Sequence, residues 1–451
     1  MTNYRKIAIL TAALACSVAT PALAQASSTE TELAALRAEL ARLSNRVEQL
    51  EGELAKTNEA AAQTAALAAA QAESAPAQSA PEIAFKGAPE ISTDSGWSFK
   101  PRGRANIDFG YIDAPDSTGA DTGFAAEARR IRLGVSGDIP GGLGYKIEAD
   151  FADNSVVLTD AIITYEDGGL TLTAGQHNNF QGLEELTSSL NTSFIERAAF
   201  TDAFGFERRV GFSAAYKSDA LLLQAGIFAD NNEDLPNGNT SYDARVVYAP
   251  KLGGTQLHFG TSVHYNDLGD ASTVRYRQRP LVHFTSDRFI NTGNLSADSE
   301  LGLGFEAAAI SGPFHVSLEG YSQTVNRPGL LEDPSFFGGS AEIGLFLTEG
   351  DRRGYKLGTF DRVKPESPVG EGGMGALQVN LRYDYLDLNS GSIIGGTQNS
   401  VQASLIWTLT DYTRLLFNYG LLSYDDAAFS TATGDTSYDV HVAGVRAQVD
   451  F

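Results

Sequence analysis

Cysteine is almost missing from this chain. Cys16 is the single one, and it falls in a leader-like stretch, so the mature chain would hold none. Disulfides, thiolate zinc sites and thiol catalysis are thereby excluded. Long apolar runs are missing too. Beyond the leader no stretch reaches the ~18 residues that a membrane helix needs. Positive charge is scarce, with 33 Lys and Arg against 56 Asp and Glu and a formal net charge of -23. A chain so acidic is no nucleic-acid binder. Catalytic signatures are absent as well: no H-E-x-x-H, no G-x-S-x-G, no P-loop, and 6 histidines scattered without ligand spacing. Glu184-Glu185 imitates a glycosidase dyad, but adjacent residues point apart on a strand. No enzyme, no metal and no cofactor is expected.

What is present begins with a leader. Arg5 and Lys6 precede an apolar run from Ile7 to about Val18, then Pro21 and Ala22-Leu23-Ala24. This is the layout of a secretory signal peptide over 1–24, cleaved after Ala24. Losing Arg5 and Lys6 takes the net charge from -23 to -25. Cys16 leaves a lipoprotein alternative open, although Ala13-Leu14-Ala15 lacks the usual leucine.

Leu33, Leu36, Leu40, Leu43, Val47, Leu50 and Leu54 are spaced 3-4-3-4-3-4, an a/d seam of about three heptads. Thr29 and Glu32 make a capping box at its entrance. Arg46 at g and Glu51 at e suit an interhelical pair, and Arg46 to Glu51 resembles a short motif of trimeric coiled coils. A coiled-coil helix is expected over 25–58. Residues 59–95, rich in Ala and Gln and then Ser and Pro, read as a helix extension and linker.

From 96 to 451 short alternating runs dominate. Tyr145, Ile147, Ala149 and Phe151 oppose Lys146, Glu148 and Asp150. Leu415, Phe417 and Tyr419 oppose Arg414 and Asn418. Phe451, Val449, Ala447 and Val445 oppose Asp450, Gln448 and Arg446. A soluble sandwich also alternates, but this pattern repeats with no second, buried sheet. A closed barrel with lipid outside and water inside accounts for it, because closure satisfies every backbone group. The fold class expected is all-β, a 16-stranded antiparallel transmembrane β-barrel with inward-folded loops behind an N-terminal α-helical coiled coil.

The even number comes from bookkeeping. Seventeen candidate strands include 273–285. With both termini on one side, only one connection can join 254–266 to 302–311. So 267–301 is one excursion, and 16 strands remain. The same parity makes 177–207 the third outer loop and 350–372 an unusually long inner turn.

Selectivity in a water-filled tube comes from width and lining charge. Arg102 and Arg104 share a face of the first strand. Arg130 and Arg132 share one on the second, and Lys146 lies beside Glu148 and Asp150. Arg275, Arg277 and Arg279 alternate in the excursion and would present guanidinium groups at the mouth, where Arg suits phosphate and carboxylate. The alternative is surface arginines bound to lipopolysaccharide phosphates or paired with carboxylates.

Several stretches together resemble the phosphate-selective porin O and P family: "RRIRLGVSG", "YKIEADFADNSVVLTDAIITY", "GLEELTSSLNTSFIERAAFTDAF", "DRFINTGNLSADS" and "FDRVKPESPVGEGGMGALQVNLRYDYLDL". The resemblance implies a trimeric bacterial outer-membrane channel whose third and fifth loops and one periplasmic turn fold into the pore. The family's paired second-strand arginines match Arg129 and Arg130. Arg275, Arg277 and Arg279 resemble its fifth-loop arginines, and Arg352, Arg353 and Lys356 sit in the inward turn. The constriction loop would hold His177, Asn178, Glu184, Glu185, Leu190 and Arg197. Two departures stand out. His177-Asn178 replaces the family's common Phe-Lys, and Leu190 stands where a basic residue is frequent.

Together these imply a homotrimeric porin, in contact with outer-membrane lipid and lipopolysaccharide, passing small hydrophilic solutes, anions such as phosphate among them. The coiled coil would reach periplasm or peptidoglycan. A non-selective porin, a membrane tether and a secreted β-enzyme are the alternatives.

Overall fold

The computed structural model describes residues 26–74, 81–152, 155–234, 238–269 and 273–451. The leader, Cys16 and the side chains of Thr29 and Glu32 lie outside the described residues. The chain divides into two units, 1–79 and 80–451.

The first unit is a single helix, α1 (Ala26–Ser74). It starts three residues ahead of the expected cap and runs sixteen past residue 58, a length of about 74 Å at 1.5 Å per residue. Its seam residues from Leu33 to Leu54 are all exposed, Leu40 by 66%. Within the helix Arg46 donates to Gln49 (3.3 Å). Thr57 and Thr64 return their hydroxyls to the carbonyls of Glu53 and Ala60.

The second unit is a closed antiparallel barrel of sixteen wall strands. In chain order they are β1 (Ser98–Asp113), β2 (Gly123–Ile139), β3 (Leu143–Asp150), β4 (Val157–Asp167), β5 (Leu170–Asn178), β6 (Arg208–Lys217), β7 (Leu221–Phe228), β8 (Thr240–Tyr248), β9 (Thr255–Asp267), β10 (Ser299–Ser311), β11 (Phe314–Asn326), β12 (Ser335–Phe346), β13 (Ala376–Ser390), β14 (Ile393–Thr410), β15 (Thr413–Asp425) and β16 (Tyr438–Asp450). Each pairs with its neighbour, and β16 closes onto β1 from Asp450↔Arg104 to His441↔Asp113. Closure leaves no wall strand with an unpaired edge. The sequence 273–285 supplies no wall strand; it carries only the two-residue bridges Thr273–Val274 and Arg277–Gln278.

The final residue explains its own aromatic side chain. Phe451 exchanges two 3.0 Å backbone hydrogen bonds with Gly103, and its ring covers that glycine. A Cβ on Gly103 would sit 2.1 Å from the ring, so the seam needs both a glycine and a flat side chain.

One expectation is corrected at the barrel's entrance. Residues 82–92, taken for linker, form a hairpin of Glu82–Lys86 against Ala88–Ser92. Ile91 and Ser92 continue it onto Phe99 and Ser98, the stretch of β1 that β16 is too short to reach. Lys100 Nζ donates to the Lys86 carbonyl at 2.9 Å.

Alternation sends Phe109, Leu133, Ile147, Ile163, Phe212, Leu381 and Phe417 outward, each at least 40% exposed. This is the apolar outer band that a lipid-facing wall requires. Inward residues are not uniformly polar. Ile112, Tyr321, Val325, Phe336, Leu386, Leu422, Tyr424 and Val440 are buried against Ile195 to Phe206 and Leu281 to Ala297, which fold in from two long loops. The lumen near that end is therefore half filled by an apolar plug. No helix of the described residues is long and apolar enough to cross a membrane; the crossings are made by strands.

Candidate pore and its constriction

The loop between β5 and β6 (179–207) enters the barrel and crosses to the opposite wall. It is held there by inward polar residues that its own sequence does not reveal. Arg382 of β13 donates to Glu184 (3.0 Å) and to the Glu196 carbonyl (3.1 Å). Arg414 of β15 donates to the carbonyls of Leu190 and Thr192. Arg446 of β16 grips Asp108 (2.6 and 2.7 Å), the Ile195 carbonyl (2.6 Å) and Glu196 (3.0 Å). From the other side, Glu319 accepts the amides of Leu183 and Glu184, and Asp384 accepts that of Ala199. Charge-assisted bonds of this kind are each worth roughly 1.5–3 kcal/mol, so the loop is a fixed partition.

A second partition rises from the end with the short turns. The connection 347–375 folds inward, and its Phe360 packs on Leu183, Ala308 and Ile310. The Phe360 amide donates to Thr187. Arg245 holds the Gly358 carbonyl while paired with Glu306, and Tyr355 Oη lies 2.8 Å from His258. Arg362 binds Asp450.

Between the first of these partitions, residues 278–283 of the excursion and strands β1 to β6 a cavity of about 720 Å³ stays open. Nine basic side chains line it: Arg102, Arg104, Arg129, Arg130, Arg132, Lys146, Arg197, Arg208 and Arg279. Six acids face them: Asp150, Asp160, Glu185, Glu196, Asp202 and Glu207. The lining of this cavity is thus net positive inside a protein of net charge -23.

Adjacent Arg129 and Arg130 should point to opposite faces, yet both line this cavity. The reason is a β-bulge. Asn106 pairs with Arg130, and the next residue, Ile107, pairs with Ala128. Arg129 is the extra residue, and the bulge turns it inward beside its neighbour. A second bulge, between Glu148↔Asp160 and Ala149↔Leu158, does the same for Thr159 and Asp160.

Most of these cations are partly spent on carboxylates. Arg129 meets Glu196 through two bonds (2.8 and 3.2 Å). Arg132 meets Asp150 (2.7 Å) and Glu148 (3.4 Å), and Arg104 meets Glu148 (3.5 Å) and Ser189 (3.0 Å). Lys146 and Arg208 share Asp160, at 2.8 and 3.2 Å. Arg130 differs. It is 6% exposed and makes no hydrogen bond to the described residues. A buried guanidinium without a partner calls for an anion or water. Burial by itself would raise the Glu196 carboxyl, but Arg129, Arg130 and Arg446 hold it well below the usual range. Glu185 goes the other way, raised by burial against the pull of Arg197.

Several expected site residues fall elsewhere. Leu190 is buried against β15 and β16, its carbonyl taken by Arg414 and Gln448, so its apolar side chain removes no charge from the passage. Glu184 and Glu185 lie on a helical turn (Leu183–Leu186), not a strand; Glu184 faces the wall and Glu185 the lumen. Arg197 braces the loop through the carbonyls of Glu184, Glu185 and Thr187. His177 and Asn178 do line the cavity, with His177 Nε2 2.8 Å from Ser213. Arg353 is buried 4.5 Å over the Phe360 ring, while Arg352 and Lys356 are exposed. None of these three lines the passage.

The arginine row of the excursion is divided. Arg279 reaches the inner cavity, whereas Arg275 and Arg277 line an outer one of about 750 Å³. There Arg209 and Arg288 join them, against six carboxylates: Asp202, Glu207, Asp230, Glu233, Asp234 and Glu300. Among the described residues the mouth is net negative. Arg382, Arg414 and Arg446 were missed as site residues. Their signal was present, because each alternates with lipid-type residues and so must face inward. Among the described residues no group of three or more His, Asp or Glu gathers to hold a metal ion.

Residues 99–451 match the family model described as phosphate-selective porin O and P. The chain is 46% identical over 473 residues to an uncharacterized protein of Caulobacter vibrioides, covering 98% of this chain and 95% of that one. It is 28% identical over 349 residues to Porin O of Pseudomonas aeruginosa, covering 70% and 78%. Among solved structures, the trimer form of OmpT, an outer membrane protein of Vibrio cholerae, superposes with a TM-score of 0.51 at 11% identity, over 79% of this chain and 100% of that one.

Proposed function

Since this chain belongs to the phosphate-selective porin O and P family, and so is an outer-membrane channel and not an enzyme, we propose that it passes small hydrophilic anions, phosphate among them, by passive diffusion. The observation that carries this is the inner cavity with its nine bases, six acids and unpartnered Arg130. Water fills the passage, the loop 179–207 and residues 278–283 set its width, and Arg130 with Arg102 biases which ions dwell there. Because carboxylates already occupy most of the other cations, the bias is mild and retention short.

A nearly unselective pore is the second reading, favoured by the six carboxylates of the mouth. Reversal potentials of single channels in a potassium chloride gradient separate the two. A chloride-to-potassium permeability ratio above one is expected, with phosphate reducing the chloride current only at millimolar concentration. A ratio at or below one would overturn anion preference.

The protein works as a homotrimer under this proposal. The exposed seam of α1 supports it, since three heptads of bare leucine are stable only against other helices. OmpT, which shares the barrel, was solved in a trimer form. The coil would stand in the periplasm, within reach of peptidoglycan.

A further inference from the structure

The inner cavity has few cations left for a solute. Of the wall bases that line it, Arg102 and Arg130 alone form no ion pair among the described residues. Arg130 lies opposite Asn106, four residues along β1 from Arg102. At about 3.3 Å per residue the two stand about 13 Å apart. Each is therefore a separate station for one anionic head, and the pair cannot chelate a single small ion.

The same cavity has an apolar side. Leu186 ends the helical turn of the constriction loop and lines the cavity half-buried. Val157 lines it too, also half-buried. It belongs to the inward row Arg132↔Asp150↔Val157, one inward position along the wall from Arg130. Neither Leu186 nor Val157 belongs to a buried apolar cluster of the described residues. Apolar surface left facing water in this way is surface that a solute can cover.

The excursion adds to that side through an unusual backbone. Leu281 has a φ of 58° and, with Asp426, is one of two described residues other than glycine in the left-handed region. A tight turn produces it, the Leu281 N–H donating to the Arg279 carbonyl at 2.7 Å. An extended segment would present every second residue to the cavity. Here Leu281, Val282 and His283 line it in succession. Strain of this kind persists only where the surroundings impose it, and it gathers at sites that hold ligands. Leu281 and Val282 are backed by the apolar plug, so this edge of the cavity is firm. His283 is turned to Glu127 at 2.9 Å and adds no free charge.

We infer that the solute this cavity retains best is an organic monocarboxylate with a short apolar body, its head on Arg130 and its body against Leu186, Val157 and Leu281. This rests on the anion-channel reading above and names the substrate class of that channel. The cavity, at about 720 Å³, has the size of an organic-ligand site. A hydrated inorganic anion gains nothing from the apolar side, whereas each methylene buried there lengthens retention about fourfold.

The test is block of the chloride current through the full-length protein in planar bilayers at neutral pH, by the sodium salts of acetate, butyrate and benzoate. Butyrate carries two methylenes more than acetate, so its half-blocking concentration should be about tenfold lower, with benzoate at least as low. Leu186→Asn combined with Val157→Thr keeps the side-chain volumes and should erase the difference between the three salts. Leu186→Asn alone should narrow it. Heat-dependent mobility on gels verifies that each variant is a folded barrel. A wild type that all three salts block equally, with a chloride-to-potassium permeability ratio above one, would overturn the substrate class and leave the anion channel standing. A difference that survives in the folded double variant would overturn the apolar site. A permeability ratio at or below one would overturn both readings.

Discussion

Arg130 and Arg446 are both buried arginines on wall strands, yet their environments assign them opposite work. Arg446 is saturated by Asp108, Glu196 and a loop carbonyl. Arg446→Ala leaves the buried Asp108 carboxylate without its partner and Glu196 held by Arg129 alone, a loss of about 3–5 kcal/mol. It should lower the detergent unfolding temperature and make single-channel current noisier as the loop loosens. Arg130→Ala instead removes a guanidinium that makes no hydrogen bond among the described residues. It should leave thermal stability unchanged within error and shift the reversal potential toward cation preference; an unmoved potential would show that Arg130 lies off the path. Acid should separate the two lumenal glutamates by the same logic. Glu185, raised by burial, takes its proton before Glu196, which its arginines hold low. As pH falls from neutral the lumen therefore gains positive charge while the loop's Glu196 anchor is still ionised. Anion preference should rise with acidification before any change in conductance, as reversal potentials along a pH series would show.

At the scale of elements, three segments that are not part of the wall fold inward, and two of them, 179–207 and the excursion at 278–283, line the passage. Strand parity alone singled out 267–301 as one excursion, 177–207 as the third outer loop and 350–372 as an unusually long inner turn, and all three fold inward. What each touches was hidden, because partners lie far along the chain: Arg446 to Glu196, Arg245 to Gly358, Phe360 to Thr187. Removing residues 353–361 from the inner turn should raise single-channel conductance and leave the barrel's heat-dependent mobility intact; an unchanged conductance would mean that the outer loop alone sets the width. Alternation also misled locally. Strict period two separates Arg129 from Arg130, and only the bulge opposite Asn106–Ile107 joins them. Of the helix extension and linker expected at 59–95, helix runs to Ser74 and a hairpin takes 82–92 from the linker.

Over the whole molecule, negative charge dominates the chain while the inner lumen is positive, so selectivity depends on distance. Screening shrinks the Debye length from about 10 Å at 0.1 M to about 3 Å at 1 M salt. The acidic mouth and the basic interior should then act more separately, and anion preference should weaken from 0.1 M to 1 M; a ratio independent of salt would point to a steric filter. Sixteen strands, closure at Phe451, the leucine seam and, away from the two bulges, the inward face of the wall residues were legible from the order of residues alone. A lipid-facing strand has period two, and parity is a property of the chain. Which arginines remain free for an ion was decided only by the tertiary structure. That outcome turns on which carboxylates the neighbouring wall strands and the inward-folded loop 179–207 bring to within bonding distance, and no spacing along the chain encodes that distance.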